Sequence, residues 1–254
     1  MKIAVITGAS SGMGREFALQ LCAQQSFDEV WLIARRKEKL EQLGKELNVP
    51  ARIVALDLTS NSAFDEYDAL LKEQKPEISV LVNASGYGKF EAFQNIKLCE
   101  QLDMIDLNDK ALVAITYLSL PYMAKGSRVY QIGSLSSFQP VPYISVYGAT
   151  KAFVLSFTRA VNAELRHTGI KMMAVCPGWV KTEFFDRAVT DKSVITYYNK
   201  FFTSEQVVTR ALKDMKKGKD VSVVGFSIRA QVLLTKLLPH RLVMKIWLMQ
   251  QKKK

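Results

Sequence analysis

Lys2-Ile3-Ala4-Val5-Ile6-Thr7-Gly8-Ala9-Ser10-Ser11-Gly12-Met13-Gly14 opens the chain and decides its fold. The first six residues form a short apolar run rich in β-branched side chains, which predicts a buried strand. Three glycines at spacings of four and two then turn the chain, and Arg15 to Gln25 carries a helical pattern. A strand running through a glycine turn into a helix leaves backbone N–H groups free at the positive end of a helix dipole. That is the setting in which a dinucleotide pyrophosphate is cradled. Gly8, Ser10, Ser11, Gly12, Met13 and Gly14 are therefore the first candidates for cofactor contact.

Six further apolar runs follow, near 29–34, 52–56, 78–83, 127–133, 171–176 and 220–224, with helical patterns between them and few long loops. Apolar strands alternating with helices imply an α/β fold, a single doubly wound parallel sheet of about seven strands with helices on both faces. Ligands of such sheets lie beyond the carboxyl ends of the strands, where the strand order reverses. A chain of 254 residues is long enough for one such domain, and no Pro-, Gly- or Ser-rich stretch divides it. The expected organisation is a catalytic domain over 1–225 with a basic amphipathic extension, 226–254, packed on it.

Downstream, Ser134 ends one of the apolar runs, Tyr147 follows thirteen residues later, and Lys151 stands four beyond that. On a helix Tyr147 and Lys151 share a face. A phenol held against an ammonium is expected to have a depressed pKa, which makes it a usable acid and base. A serine hydroxyl reaching the same point from a strand end would hydrogen-bond a substrate oxygen. Ser134, Tyr147 and Lys151 together would handle a carbonyl.

The cofactor is read at the end of the second strand, where Glu29 to Ala34 leads into Arg35-Arg36-Lys37. A carboxylate there would hydrogen-bond the ribose 2′-hydroxyl of NAD, whereas an arginine pairs with the 2′-phosphate of NADP. Arg35 and Arg36 without an acid favour NADP(H) over NAD(H). Helix starts prefer negative residues, so three cations at this point need a separate reason.

These residues resemble the short-chain dehydrogenase/reductase family over about residues 2–225. Thr7 to Gly14 matches its TGxxxGxG loop, and Asn83-Ala84-Ser85-Gly86 takes the place of its NNAG, keeping the first and last letters. The resemblance implies a Rossmann-type fold and NAD(P)-dependent oxidoreduction between a carbonyl and an alcohol. It implies that Asp57 and Leu58 flank the adenine, and that Asn83, Ala84 and Gly86 border the cofactor. Pro177, Gly178, Val180 and Thr182 would meet the nicotinamide, and Lys151 would also hold the nicotinamide ribose. Asn108 would be a fourth catalytic residue, fixing a water that links Lys151 to solvent. The resemblance further implies pairing through the helices near 98–124 and 146–167, giving a homodimer or homotetramer.

Substrate identity stays open among a steroid, a fatty-acyl ketone, a sugar-like ketone and a small aldehyde, as does the direction of the reaction. The alternatives to a reductase are an alcohol-oxidising hydroxysteroid or fatty-acyl dehydrogenase and a non-catalytic NADP-binding sensor. The segment 183–204 carries Phe184, Phe185, Tyr197, Tyr198, Phe201 and Phe202 where the family places a movable flap. These rings either line an apolar pocket or pack two short helices together. Trp179 and Tyr143 are candidates to line that pocket beside Ser134 and Tyr147.

From Arg229 onward the chain has seven Lys or Arg and no Asp or Glu, out of a net charge of +11. The apolar face of this segment closes the substrate pocket, packs on another subunit, or touches an anionic membrane surface. Pro239 and the interleaved charges exclude a transmembrane span there. No recognition helix, zinc-finger spacing or aromatic RNA-binding motif accompanies the basic charge, so nucleic acid is not an expected partner. Cys22, Cys99 and Cys176 each sit in an apolar pattern without metal-like spacing and are expected as buried reduced thiols; no metal is expected. The amino terminus enters a strand almost at once, which points to a cytoplasmic protein.

Overall fold

Lys2–Thr7 forms the expected first strand (β1), buried at all but its first residue, and the sheet grows on both of its edges. The computed structural model describes residues 1–189 and 191–253; Thr190, inside the expected flap, and Lys254, ending the basic tail, lie outside the described residues. Strands Glu29–Ala34 (β2), Ala51–Ala55 (β3), Glu77–Asn83 (β4), Arg128–Ile132 (β5) and Lys171–Val175 (β6) follow the expected runs closely. The two-residue pairs Trp179–Val180 (β7) and Phe201–Phe202 (β8) form a small parallel sheet of their own, which the apolar pattern did not reveal. Val221–Ser222 (β9) closes the main sheet, a shorter strand than the run 220–224 suggests.

The main sheet has seven strands in the order β3-β2-β1-β4-β5-β6-β9, all pairs parallel. Successive side chains point to opposite faces. Ala4, Ile6, Val30 and Leu32 pack on one side with Phe17 and Leu21 of helix Gly12–Gln24 (α1). Ile3, Val5, Trp31 and Ile33 pack on the other with Tyr67 and Leu71 of helix Ser62–Gln74 (α2). Each such fully buried side chain contributes about 1.5–3 kcal/mol of transfer free energy, so both faces need their helices. This is the Rossmann-type fold expected from the sequence. Strand order reverses between β1 and β4, which brings the Gly8 turn beside Ala84 and opens a crevice above them.

Three more elements position the site. Helix Leu98–Ile105 (α3) passes through a π-helical turn, Asp106–Lys110, into helix Ala111–Ser119 (α4), so the expected 98–124 stretch is not one regular helix. Such widened turns recur at functional sites, and this one buries Asn108. Helix Ser145–Glu164 (α5) buries Lys151, Val154 and Thr158 at helical spacing against the sheet. The C-terminal segment folds into helices Phe226–Leu237 (α6) and His240–Gln250 (α7), separated at Pro239. Among the described residues no helix is long and apolar enough to cross a membrane.

Candidate active site

Backbone geometry makes the nucleotide cleft. Gly8 sits at φ 65°, in the left-handed region, and a Cβ there would stand 2.6 Å from the carbonyl of Ala84. Only glycine fits both demands. Ala84 N and Ser85 N donate to Thr7 Oγ1, each at 3.2 Å, and so tie the two strand ends together. Gly8, Ser10, Ser11, Gly12 and Met13 line a cavity of about 350 Å³. Arg35 and Arg36 face it from the end of β2, Asp57 and Leu58 from beyond β3, Ala84 and Gly86 from beyond β4, and Thr182 from the far side. Gly14 and Asn83 stand behind this wall: Gly14 packs against the Gly8 backbone, and Asn83 donates to Thr116 Oγ1 at 3.0 Å. A crevice lined by glycine backbone, a helix N-terminus and two arginines fits a dinucleotide.

Arg35 and Arg36 of that cleft, and Lys39 in the adjoining pocket, are each engaged by a carboxylate. Arg36 donates to Ser10 Oγ (3.0 Å) and Ser11 Oγ (2.9 Å) and pairs with the Glu183 carboxylate at 2.7 Å. Lys39 meets the other Glu183 oxygen at 2.6 Å. Hydrogen bonds from Lys39 and Arg36 hold the Glu183 carboxyl down at about 2. Arg35 lies 3.6 Å from Asp57. Burial opposes ionisation of Asp57, but the Thr59 amide and hydroxyl together with Arg35 outweigh it and hold the carboxyl below its ordinary value. Lys37 turns away to Glu41, one helical turn along.

Ser134, Tyr147 and Lys151 come together next to this cleft. Ser134 follows β5, and its hydroxyl accepts from Ser136 N at 3.2 Å. Ser137 Oγ accepts from Ser134 N (3.1 Å) and donates to the Lys151 carbonyl (2.6 Å), which fastens the strand end to α5. Lys151 is buried and its Nζ donates to the Ile132 carbonyl at 2.8 Å, 5.7 Å from the centre of the Tyr147 ring. Asn108 Nδ2 donates to the Tyr87 carbonyl (2.9 Å) and Thr150 Oγ1 (3.0 Å), while its Oδ1 accepts from Tyr87 N (3.0 Å). Asn108 and Lys151 thus support the site from beneath; neither lines a cavity wall.

The expectation of a depressed tyrosine pKa is corrected. Burial pushes the Tyr147 phenol up to about 12, and its hydrogen bond with Ser134 only partly opposes this. The ammonium is aimed at a backbone carbonyl rather than at the phenol oxygen, so desolvation decides the direction. Burial pulls Lys151 down to about 8, with the Asp109 carboxyl acting the other way. Asp109 stands next to Asn108 on the π turn; burial pushes it up to about 7, and its Oδ1 has no hydrogen-bond partner.

A second cavity, of about 550 Å³, opens on the other side of Tyr147. Ser134 and Tyr147 lie on its wall with Phe90, Gly178 and Trp179, and α6 and α7 complete it through residues such as Leu234, Leu238, Ile246 and Trp247. Trp247 Nε1 donates to the Pro142 carbonyl at 3.1 Å and anchors α7. The Gln251 side chain receives Thr196 N (2.8 Å) and Tyr197 N (3.0 Å), which ties the C-terminal segment to the flap region. Part of the apolar face of this segment lines the cavity, while Phe226, Leu233 and Leu237 are exposed outside it.

The match to known sequences decides the family. The family model described as short chain dehydrogenase matches residues 2–193. The chain is a short-chain dehydrogenase. It is 35% identical over 191 residues to sulfoacetaldehyde reductase 2 of Chromohalobacter salexigens, covering 72% of this chain and 74% of that one. An uncharacterised oxidoreductase of Staphylococcus epidermidis is 33% identical over 183 residues, covering 71% and 79%. Among solved structures, a short-chain dehydrogenase from Sphingobium yanoikuyae in complex with NADPH superposes with TM-score 0.80 at 27% identity, covering 93% of this chain and 94% of that one. As a member of this family the chain is an oxidoreductase of alcohol and carbonyl substrates that binds a nucleotide cofactor.

Some expectations for this short-chain dehydrogenase need correction. Tyr143 is not on the cavity wall: its backbone adopts φ 66°, and its ring packs into the apolar cluster around Phe90 beneath Lys253. Pro177 and Val180 also lie outside both cavity walls; the Pro177 carbonyl accepts from Leu135 N at 2.7 Å, and Val180 is buried. The flap holds one described helix, Phe184–Ala188, rather than two, because Phe201 and Phe202 enter β8. Of its rings only Tyr197 lines the larger cavity; Phe184 borders the smaller one, and Phe185, Tyr198 and Phe201 pack on one another. Cys22 and Cys176 are buried, but Cys99 is exposed, on the outward face of α3 beside Leu98 and Leu102.

Sequence reading missed Lys39, Glu183, Asp109, Gln251 and Gly88. A Cβ at Gly88 would meet the Tyr147 ring at 2.9 Å and Phe184 at 3.0 Å, so this glycine makes room for the tyrosine. Lys39 had a signal, as it lies two residues beyond the Arg35-Arg36-Lys37 run. The others had none, because their partners are distant in sequence.

Proposed function

We propose that this short-chain dehydrogenase transfers hydride between NADPH and the carbonyl carbon of a bulky apolar ketone or aldehyde, with Tyr147 as proton donor and acceptor. One observation carries the reading. Ser134 and Tyr147 lie on the wall of a largely apolar cavity of about 550 Å³, and the Tyr147 ring centre lies 5.4 Å from that of Phe184, which borders the nucleotide cleft. Tyr147 therefore stands between the place for a dinucleotide and the place for an apolar substrate.

Bound in the cleft, the reduced nicotinamide supplies the hydride. The glycine turn and α1 would hold the cofactor's pyrophosphate, and Arg36 with Lys39 would favour a 2′-phosphate, which supports NADP(H) over NAD(H). Ser134 Oγ hydrogen-bonds the carbonyl oxygen and stabilises the charge that develops on it. Tyr147, kept protonated by burial, donates its proton to that oxygen. The Lys151 ammonium, 5.7 Å from the centre of the Tyr147 ring, favours the phenolate through space rather than by direct contact, and Asn108 holds the Tyr87 backbone and would fix a water that links Lys151 to solvent. The same groups serve the reverse direction.

The cavity falls within the range of small-molecule sites, and its apolar wall favours a ring system or acyl chain over a sugar-like ketone. The described residues of the segment 226–254 act as a cap on those of the 1–225 domain. Exposed Leu98, Leu102, Ile105, Tyr117 and Phe153 on α3, α4 and α5 favour a homo-oligomer. NADPH oxidation measured across ketones of rising size tests the substrate class. Higher kcat/KM for polycyclic or long-chain ketones than for acetone-sized ones is expected; the opposite order refutes it.

A further inference from the structure

We propose that Glu183 is an internal stand-in for the 2′-phosphate of NADP(H): its carboxylate occupies Arg36 and Lys39 until that phosphate takes them, and its release frees the start of the flap. The inference rests on the NADP(H) reading above and deepens it.

Both oxygens of Glu183 are engaged, one by Arg36 at 2.7 Å and one by Lys39 at 2.6 Å. The same Arg36 guanidinium reaches Ser10 and Ser11 on the glycine loop. Two cations converge on this one anionic group, and two hydroxyls beside them accept from the Arg36 guanidinium, so the cluster offers the charged donors that a phosphate ester attracts. Glu183 reaches this set from 144 residues away, through the connection between β7 and the flap helix. A phosphate carries about −1.5 to −2 charges and three acceptor oxygens against the single charge and two oxygens of a carboxylate. In direct competition the phosphate takes the cations and repels the carboxylate. Hydrogen bonds from Lys39 and Arg36 hold the Glu183 carboxyl down at about 2, so acidification within the ordinary range leaves the latch closed and a competing anion is what opens it.

The position of Glu183 gives the exchange a consequence. Its neighbour Thr182 contacts the place where Gly12 would carry a Cβ, and its other neighbour, Phe184, packs on Tyr147. Displacing Glu183 therefore loosens the chain that holds Phe184 over the reactive tyrosine. NAD(H), which lacks the 2′-phosphate, leaves the latch in place.

Calorimetric titration of the full-length protein and its E183Q variant with adenosine 2′,5′-bisphosphate and with adenosine 5′-monophosphate tests the proposal. E183Q should bind the bisphosphate about three- to tenfold more tightly, the gain expected from removing a competitor for two exposed ion pairs, with the monophosphate unchanged. In the unmodified protein the bisphosphate, but not the monophosphate, should speed amide exchange over residues 183–189. A wild-type protein that prefers the bisphosphate while E183Q binds it no more tightly, or exchange unaffected by it, overturns the latch. Equal wild-type affinity for the two nucleotides instead overturns the NADP(H) reading, and the latch with it.

Discussion

The nucleotide cleft and the apolar cavity stand on either side of Tyr147, yet they are built differently. The cleft is built largely on backbone at the ends of β1, β2, β3 and β4, within the first 90 residues apart from Leu107 and the segment 182–187. The cavity is made of side chains, and much of its wall comes from α6 and α7, at the other end of the chain. Backbone cradles demand particular φ, ψ and close approach, whereas apolar walls demand volume and tolerate exchange. Substitutions on the cleft side should therefore be severe and independent of substrate, and those on the cavity side milder and substrate-dependent.

The largest break in that contrast would come at Gly8. Gly8→Val places a branched side chain at φ 65° against the Ala84 carbonyl. NADPH binding, followed by its fluorescence, should weaken by more than about 100-fold for every substrate pair tested. Near-normal affinity would mean that this turn does not hold the cofactor.

On the cavity side, Gln251→Ala removes the side chain that receives the amides of Thr196 and Tyr197. KM for a bulky ketone should rise about five- to tenfold while NADPH affinity stays within about twofold, since only an unpaired backbone contact near the substrate is created. A change in cofactor affinity of the same size would erase the distinction between the two regions.

The smallest expected effect lies between them, at Asp109. Its carboxyl is raised to about 7, so the folded protein binds more protons than the unfolded chain between about pH 4 and 7. The cost to stability is absent below about pH 4, grows through that window and is complete above pH 7. Asp109→Asn should stabilise the protein by about 1 kcal/mol at pH 8 and by nothing measurable at pH 4, a value reduced because the group is partly exposed. Thermal unfolding across that pH range checks it; an equal gain at both ends would assign the effect to packing.

The contrast also explains what was legible in the sequence. Gly8 to Gly14 and the strand alternation are local patterns, because strand, turn and helix are set by neighbours within a few residues. Ser134, Tyr147 and Lys151 could be paired across a short interval because helix periodicity places i and i+4 together. Glu183 with Lys39, and Gln251 with Thr196, join residues 144 and 55 positions apart, and no periodicity carries such information. The pKa of Tyr147 failed for a different reason. Spacing reports which residues share a face, but not that Lys151 would turn its ammonium to Ile132 and leave burial to dominate.

Tyr147→Phe tests the central claim most directly, since it deletes one hydroxyl and keeps the ring that packs on Phe90 and Phe184. NADPH binding should stay within about twofold while kcat for ketone reduction falls by about 10²–10⁴, the usual contribution of a general acid. Turnover within a few-fold of the unmodified enzyme, with the cofactor still bound, would contradict it.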